Sequence, residues 1–210
     1  MRRAAGICGI LIFVMAITAW LDPKFISAFN LQNIARWTGL FGIITLGQAF
    51  VIIGGGIDLS IGSVVGLVGA LLPFLLRTAG MPLWLALVTV SALSVAIGLA
   101  HGLLITKLKL QPFVVTLCGL FIYRGVARFI TGDTTQGFGT EFSGLRYLAT
   151  GAPISIPLPG VGWLSIPMPF IILILLATFA ALLLNSTVFG TYLLALGRNE
   201  KAARFSGINT

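Results

Sequence analysis

The stretch VIIGGGIDLSIGSVVGL, residues Val51–Leu67, interrupts an apolar chain with three adjacent glycines and an acid. Glycine weakens the interior of a helix, because its backbone loses the most conformational freedom on folding. Gly54–Gly56 therefore predict the end of one helix. Asp58 follows as the predicted cap of the next helix, with Ser60 as the alternative cap, because their side-chain oxygens accept backbone N–H groups at helix starts.

Two interpretations of this helix break stay open. The first is a tight turn and a cap at the cytoplasmic surface of a membrane. The second is a broken helix whose bare backbone and acid line a polar pathway, since irregular backbone at membrane depth needs cover from protein or a water-filled cavity. Beyond the break, Gly62, Gly66 and Ala70 recur every four residues. Such a small-residue face predicts the close approach of a neighbouring helix.

Composition places the chain in a membrane. Hydrophobic residues make up 58% of its 210 residues, charged residues only 9%, and the mean hydropathy is +1.07. A soluble domain carries about 25% charged residues, and a membrane helix needs about 20 mainly apolar ones. The sequence predicts an all-α membrane protein with six spans, at residues 4–21, 37–54, 59–76, 82–106, 112–131 and 167–189. The first span also fits a secretory signal, which the lack of a small-x-small cleavage site disfavours.

The basic residues predict the orientation, because cytoplasmic loops carry an excess of Lys and Arg. With the N-terminus inside, seven basic residues lie on the cytoplasmic side, namely Arg2, Arg3, Lys107, Lys109, Arg198, Lys201 and Arg204. Four lie outside, namely Lys24, Arg36, Arg77 and Arg146. Both termini are therefore predicted to be cytoplasmic. The net charge of +8 does not indicate a nucleic-acid partner, because these residues form no patch with interleaved aromatics.

Two long segments outside the spans carry their own signals. Residues 132–166 form a predicted extracytoplasmic loop rich in Gly, Pro, Ser and Thr, either a partner-docking surface or a re-entrant or interfacial segment. Residues 190–210 form a predicted cytoplasmic segment of mixed charge. There Asn199 can cap a short helix over Glu200–Ser206, with Glu200 at its positive end and Arg204 near its negative end. Gly207 then supplies the left-handed residue that ends it.

Among the polar residues inside the predicted spans, four carry specific predictions, namely Gln48, His101, Arg124 and Arg128. A charge in the bilayer interior costs at least about 2.5–3.5 kcal/mol, so such residues usually face a bundle interior or extend to the surface. Arg128 lies near the outer end and is predicted to extend outward. Arg124 lies deeper and is predicted to face inward, where Asp58 or helix C-terminal carbonyls are candidate partners. Gln48 and His101 are predicted to bond to neighbouring helices.

No pattern of residues indicates catalysis or metal binding. The sequence contains no G-x-x-x-x-G-K-[ST], H-E-x-x-H or G-x-S-x-G motif and no close pair of acids. Cys8 and Cys118 have no motif spacing, and His101 is the one histidine. We therefore expect no enzyme activity in this chain, no cofactor and no metal site.

Three stretches together resemble one family. GGGIDLSIGSVVGL, LQPFVVTLCGLFIYRGVARFITG and GTYLLALGRNEKAARFSGIN are similar, in this order, to signature segments of bacterial ABC importer permeases of the ribose and simple-sugar type. The resemblance implies an inner-membrane, multi-pass sugar permease working by alternating access. Translocation-path candidates are Gly55, Gly56, Asp58, Ser60 and Arg124. The segment that would contact the ATPase carries Asn199, Glu200, Ala202, Ala203, Arg204 and Gly207.

The resemblance also implies partners. These are a cytoplasmic ATP-binding subunit, a periplasmic or extracellular sugar-binding protein, a second permease subunit in a homo- or heterodimer, and a small sugar as substrate. Members of the family continue past the third stretch with further spanning helices, so we expect the C-terminal part of the family domain to be missing here. A secondary transporter with broken helices and a non-transporting membrane scaffold fragment are the alternatives.

Overall fold

The computed structural model of the chain describes residues 2–158 and 162–210, with side chains from residue 6 onward. Arg2 and Arg3, counted above for orientation, lie outside the described side chains. Within these ranges the elements are helices α1 (Arg2–Leu21), α2 (Ala28–Ile53), α3 (Ile61–Pro73), α4 (Leu83–Thr106), α5 (Pro112–Thr131) and α6 (Ser143–Thr150), strands β1 (Ile154–Leu158) and β2 (Gly162–Ile166), and helices α7 (Met168–Ser186), α8 (Val188–Arg198) and α9 (Glu200–Phe205). A 3-10 turn, Pro23–Ile26, links α1 to α2, and a π-turn, Phe74–Thr78, continues α3.

Five helices are long and apolar enough to cross a membrane. They are Ala28–Ile53, Ile61–Thr78, Leu83–Thr106, Pro112–Thr131 and Met168–Ser186. All six predicted spans lie on helices, five of them on helices that are long and apolar enough to cross a membrane, and the prediction for 112–131 agrees with the observed bounds. The predicted span 4–21 corresponds to a shorter apolar stretch, Gly6–Leu21, so its crossing stays a prediction. Apart from the hairpin of β1 and β2, the described fold is all-α.

Helix α2 begins earlier than predicted. The predicted span began at residue 37, whereas α2 begins at Ala28 and includes Arg36. The helix start is fixed by local bonds, because the Asn30 side-chain amide donates to the Phe25 carbonyl at 2.7 Å and the Leu31 N–H donates to the Ser27 carbonyl at 3.0 Å. Arg36, predicted to precede the span on the outer side, therefore lies within the helix, and its side of the membrane stays a prediction. Polar residues near the start of a helix mask its true length in a hydropathy pattern.

The first of two compact units comprises residues 1–43 and 143–180. In it, the first part of α2 lies directly against the start of α7, because a Cβ on Gly39 would come within 2.5 Å of Pro169 C and Phe170 N. The predicted loop 132–166 contains regular structure that the sequence did not predict. It holds α6 and an antiparallel hairpin in which Ile154 pairs with Ile166 and Leu158 with Gly162.

The second unit comprises residues 44–142 and 181–210. Helix α3 packs mainly against α5, and also against α4. Leu67 on α3 and Val115 on α5 are buried there, as is Thr116, whose hydroxyl donates to the Pro112 carbonyl at 2.8 Å. Pro73 lies inside the helical run before the π-turn. Because proline lacks the N–H that continues an α-helix, a wider turn there is expected.

The contact at Gly39 yields a prediction about stability. Gly39→Ala places a methyl group against the α7 backbone and should lower the free energy of unfolding by about 1–3 kcal/mol, the usual cost of overpacking. Gly47→Ala is the matched control on α2, because nothing lies within 4 Å of its Cβ position, and it should be neutral or stabilising by about 0.5–1 kcal/mol. Thermal unfolding in one detergent measures both. Equal shifts for the two variants would contradict the described helix contact.

Candidate functional site

The glycine stretch ends α2 with a complete C-terminal cap. Gly55 has a φ of +81°, the left-handed conformation that favours glycine. Its N–H donates to the Ile52 carbonyl at 3.0 Å, and the Gly56 N–H donates to the Val51 carbonyl at 2.9 Å. This pair of bonds is the Schellman motif, which satisfies the last carbonyls of a helix. The predicted helix break at Gly54–Gly56 is confirmed.

Asp58 organises the restart of the helix. Its Oδ1 accepts from the Ser60 N–H and from the Ser60 Oγ–H, both at 2.7 Å. Ser60 is in helical conformation just before α3 and is only 1% exposed. The N-cap position of α3 is Ser60, whose side chain makes no capping bond. Asp58 lies two residues earlier, and its bond to the Ser60 N–H is an Asx turn that leads into the helix. The predicted cap at Asp58 is therefore wrong, and the alternative, Ser60, is confirmed in position only.

Gln48 connects this restart to α2. Its Nε2 donates to the Asp58 carbonyl at 3.2 Å. Asp58 lies between α2 and α3, so the prediction that Gln48 bonds to a neighbouring helix is wrong, and the residue bonds to the segment between two helices. Its Oε1 is buried and has no partner in the structure. A buried polar atom without a partner carries a desolvation cost. The Asp58 segment is therefore held from both sides, by Ser60 after it and by Gln48 across the break.

Arg124 faces a groove between α3 and α5. The groove has a volume of about 370 Å³ and is lined by Leu59, Gly62, Ser63, Gly66, Leu120, Arg124, Ala127 and Arg128. Nothing lies within 4 Å of the Cβ positions of Gly62 and Gly66. The predicted close helix approach at these two glycines is thus wrong. Here the missing side chains leave the floor of a groove open instead of admitting a neighbouring helix.

The two arginines of α5 differ in their partners. Arg128 Nε donates to Asp133 Oδ1 at 2.6 Å, and both side chains are more than 60% exposed. Arg128 thus extends past the end of α5, as predicted. This is the one ion pair within the described residues. The suggested pairing of Arg124 with Asp58 was therefore wrong, and the guanidinium of Arg124 lies in the groove without a paired acid.

His101 joins α4 to α5. Its Nε2 lies 2.8 Å from the Tyr123 hydroxyl, which confirms that this histidine bonds to a neighbouring helix. A Cβ on Gly119 would lie 2.7 Å from the same nitrogen, so this glycine allows the helices to approach. Cys8 and Cys118 are free and exposed. Across the described residues, no three His, Cys, Asp or Glu side chains converge on a common point.

The segment near the end of the chain forms two short helices. The Thr187 hydroxyl accepts the Gly190 N–H at 3.2 Å and caps α8. Asn199 Oδ1 accepts the Ala202 N–H at 3.0 Å and caps α9. Helix α9 occupies Glu200–Phe205, with Glu200 in its first turn and Arg204 in its last. The helix predicted over Glu200–Ser206 is confirmed to within one residue.

Gly207 ends α9 as predicted. Its φ is +83°, and its N–H donates to the Arg204 carbonyl at 3.1 Å while the Ile208 N–H donates to the Ala203 carbonyl at 3.1 Å. This is a second Schellman motif. Two faces of α9 differ in exposure, since Ala203 is 4% exposed and Phe205 is 92% exposed. One face of α9 is therefore packed on the protein, and a large aromatic side chain is fully presented to its surroundings.

The structure brings the glycine turn against the end of α8. A Cβ on Gly197 would overlap the carbonyl oxygen of Ile53, the last residue of α2. A Cβ on Gly55 would lie 3.5 Å from the Gly197 Cα. Sequence reasoning did not single out Gly197, and its position two residues before the Asn199 cap was the available signal. The glycine turn thus touches α8, the helix that precedes the Asn199 cap, through backbone contact.

Comparison with known proteins identifies similar chains. Residues 30–210 match the family described as "Branched-chain amino acid transport system / permease component". The chain is 34% identical over 209 residues to the ribose import permease protein RbsC of Bacillus subtilis, covering 99% of this chain and 61% of that protein.

Two further relatives are similar in extent. The galactose/methyl galactoside import permease protein MglC of Escherichia coli K12 is 34% identical over 224 residues, covering 99% of this chain and 63% of that protein. The xylose transport system permease protein XylH of the same strain is 30% identical over 249 residues, covering 95% and 63%. The chain thus spans about three fifths of the length of the curated relatives it matches. No solved structure matches it at a significant level.

The bonds of Asp58 give a prediction for local stability. Asp58→Ala removes the acceptor of both Ser60 bonds and leaves two polar groups of a buried residue without a partner. The opening free energy at the start of α3 should fall by about 1–3 kcal/mol. Asp58→Asn keeps an acceptor oxygen and should retain most of the protection. Hydrogen exchange of the Ser60 amide measures the difference. Equal exchange in wild type, Asp58→Ala and Asp58→Asn would contradict the role of these two bonds.

Proposed function

The chain belongs to the family of permease components of branched-chain amino acid transport systems, and we propose that it forms the translocation path of an ATP-driven, binding-protein-dependent importer. Family membership makes the chain a multi-pass membrane transport component, not an enzyme. The proposed mechanism is alternating access. A cytoplasmic ATP-binding subunit, an extracytoplasmic binding protein and a second permease subunit complete the transporter.

The proposed substrate is a small sugar. The relatives at 30–34% identity carry the names of ribose, galactose or methyl galactoside, and xylose permeases. The family description instead names branched-chain amino acids. We favour the sugar, because individual relatives aligned over 95–99% of this chain resemble it more specifically than a broad family description does.

The proposed topology has six spans in the bacterial inner membrane. Helix α1 is the proposed sixth span, beside the five helices that are long and apolar enough to cross a membrane. The excess of basic residues, seven against four, supports cytoplasmic termini. Residues 190–210 then lie in the cytoplasm and residues 132–166 outside it. The glycine turn and α9 share the cytoplasmic side, in agreement with the contact at Gly197.

Helix α9 is the proposed contact with the ATP-binding subunit. Asn199, Glu200, Ala202, Ala203, Arg204 and Gly207 build this helix and its caps. The buried Ala203 seats it on the permease, and the exposed Phe205 offers an apolar anchor for a partner surface. Exposed aromatic residues of this kind often dominate binding energy at interfaces.

The contact of Gly197 with the carbonyl of Ile53 is the observation that carries the mechanism. When the ATP-binding subunits close, α9 moves, and α8 carries the motion to the turn at Gly55 and Gly56. Asp58 and Ser60 pass it to α3, which forms one wall of the groove with Arg124. In this proposal five residues line or control the sugar path, namely Gly55, Gly56, Asp58, Ser60 and Arg124.

Transport in proteoliposomes tests the function. The proposal predicts genes for an ATP-binding subunit and a binding protein beside the reading frame that encodes this chain. These genes are expressed together with it, and uptake of radiolabelled ribose, galactose and xylose is compared with uptake of leucine. We expect ATP-dependent uptake of at least one sugar and none of leucine. Sugar uptake driven by an ion gradient without ATP would indicate a secondary transporter. Uptake of leucine alone would reject the proposed substrate class.

Gly197→Ala tests the coupling step. The added methyl group forces the α8 end away from the Ile53 carbonyl, and overpacking of roughly 1–3 kcal/mol corresponds to a loss of coupled uptake on the order of tenfold or more. ATP hydrolysis should continue, because the ATPase contact at α9 is unchanged. Gly98→Ala is the control, since nothing lies within 4 Å of its Cβ position. Normal uptake per ATP hydrolysed in Gly197→Ala would contradict the proposed route.

A further inference from the structure

A basic groove lies beside the short loop between α4 and α5. The groove has a volume of about 380 Å³ and is lined by Thr106, Lys107, Lys109, Arg204, Ile208, Asn209 and Thr210. Three of these side chains are cations, and all three are exposed. The one ion pair among the described residues is elsewhere, between Arg128 and Asp133. The groove therefore brings three cationic side chains together, and no Asp or Glu side chain is among its lining residues.

Lys109 occupies a position where a lysine costs stability. Its φ is +56°, and the Leu110 N–H donates to the Leu104 carbonyl at 3.2 Å. This bond spans six residues, one more than in a Schellman motif, and the C-cap of α4 is Lys107. Lys109 is therefore the left-handed residue of a wider turn that follows the helix. Left-handed backbone is unfavourable for a residue with a Cβ. Strained residues of this kind cluster at functional sites, so the charge of Lys109 is a candidate for a binding role.

Apolar side chains alternate with the cations. The loop reads Lys107-Leu108-Lys109-Leu110, and Leu108 and Leu110 are 64% and 47% exposed. The loop connects two helices that are apolar enough to cross a membrane, so it lies at a membrane boundary. Adjacent cationic and apolar side chains at that depth match the phosphate and the acyl chains of a phospholipid. An acidic protein surface would not explain the two leucines.

We propose that the groove binds the anionic headgroup of a phospholipid, with Lys107, Lys109 and Arg204 around the phosphate and Leu108 and Leu110 against the acyl chains. Basic pockets between spanning helices bind such headgroups. The proposal goes beyond transport and uses only the membrane placement of α4 and α5. A lipid held here would touch both the α4–α5 loop and α9, and so would brace the segment that contacts the ATP-binding subunit.

Lys109→Gly is the decisive variant, because it removes a charge while giving the left-handed position the residue that suits it. The variant should fold at least as stably as the wild type, so a loss of binding cannot be assigned to unfolding. Lys109→Arg keeps the charge and should keep binding. Lys201→Gln is the matched control, since it removes one cation from α9 that does not line the groove.

Native mass spectrometry of the 210-residue chain in detergent, titrated with phosphatidylglycerol or phosphatidylcholine of the same acyl chains, measures binding. We expect preference for phosphatidylglycerol, lowered about fivefold by Lys109→Gly and unchanged by Lys201→Gln. Equal retention in wild type and Lys109→Gly would overturn the proposal. So would glycerol phosphate binding as tightly as the lipid, which indicates a free phosphate site.

A second experiment distinguishes a lipid from a protein as the ligand of the groove. The ATP-binding subunit is added to wild type and to Lys109→Gly in neutral lipid. Equal affinity for both supports a lipid site. Weaker binding to Lys109→Gly would overturn the proposal and assign the groove to protein docking. None of these measurements depends on transport, so a failure of sugar uptake would not contradict the lipid proposal. Likewise, a failure of lipid binding would not contradict the proposed transport function.

Discussion

The contact between Gly197 and the carbonyl of Ile53 is the constraint on which the proposed mechanism depends. Any side chain at Gly197 would overlap that oxygen, and a helix end rarely lies this close to another backbone unless glycine permits it. Because the two backbones touch at this point, we propose that a displacement of α8 displaces the end of α2. In this proposal, motion of α9, the proposed contact with the ATP-binding subunit, reaches the glycine turn through α8.

The polar cluster beyond the turn extends this constraint to the start of α3. Asp58 is bonded both to Ser60 ahead of α3 and to Gln48 on α2, so the break is bridged by hydrogen bonds and is not a loose linker. The turn of Gly54–Gly56 and the acid are therefore one structural unit. These bonds fit a tight turn as well as a broken helix that lines a polar pathway, so both interpretations of the break stay predictions, and contact with sugar stays a proposal.

Local features were predictable from sequence, and features that depend on distant residues were not. The cap at Asn199 and the left-handed Gly207 follow from a few adjacent residues, and the structure confirms them. At the start of α3 the sequence favoured Asp58 over Ser60, because both side chains can accept N–H groups, and the structure places the cap at Ser60. The contact at Gly197 could not be predicted, because its partner Ile53 lies far away in the chain. The hairpin in residues 132–166 could not be predicted either, because proline interrupts its short strands. The open face at Gly62 shows the same limit, because glycine spacing indicates a small-residue face but not whether a helix covers it.

The distance between spin labels at Ile52 and Tyr192 tests the rigid contact most directly, in a Cys8→Ser, Cys118→Ala background. Both positions are exposed, at 62% and 50%, and each lies on one of the helices that meet at Gly197. In the assembled transporter, we expect this distance to stay constant when ATP is added, while the distance from Tyr192 to a label at Phe121 on α5 changes. A changed distance between Ile52 and Tyr192 would show that the two helices move separately and would contradict the proposed coupling.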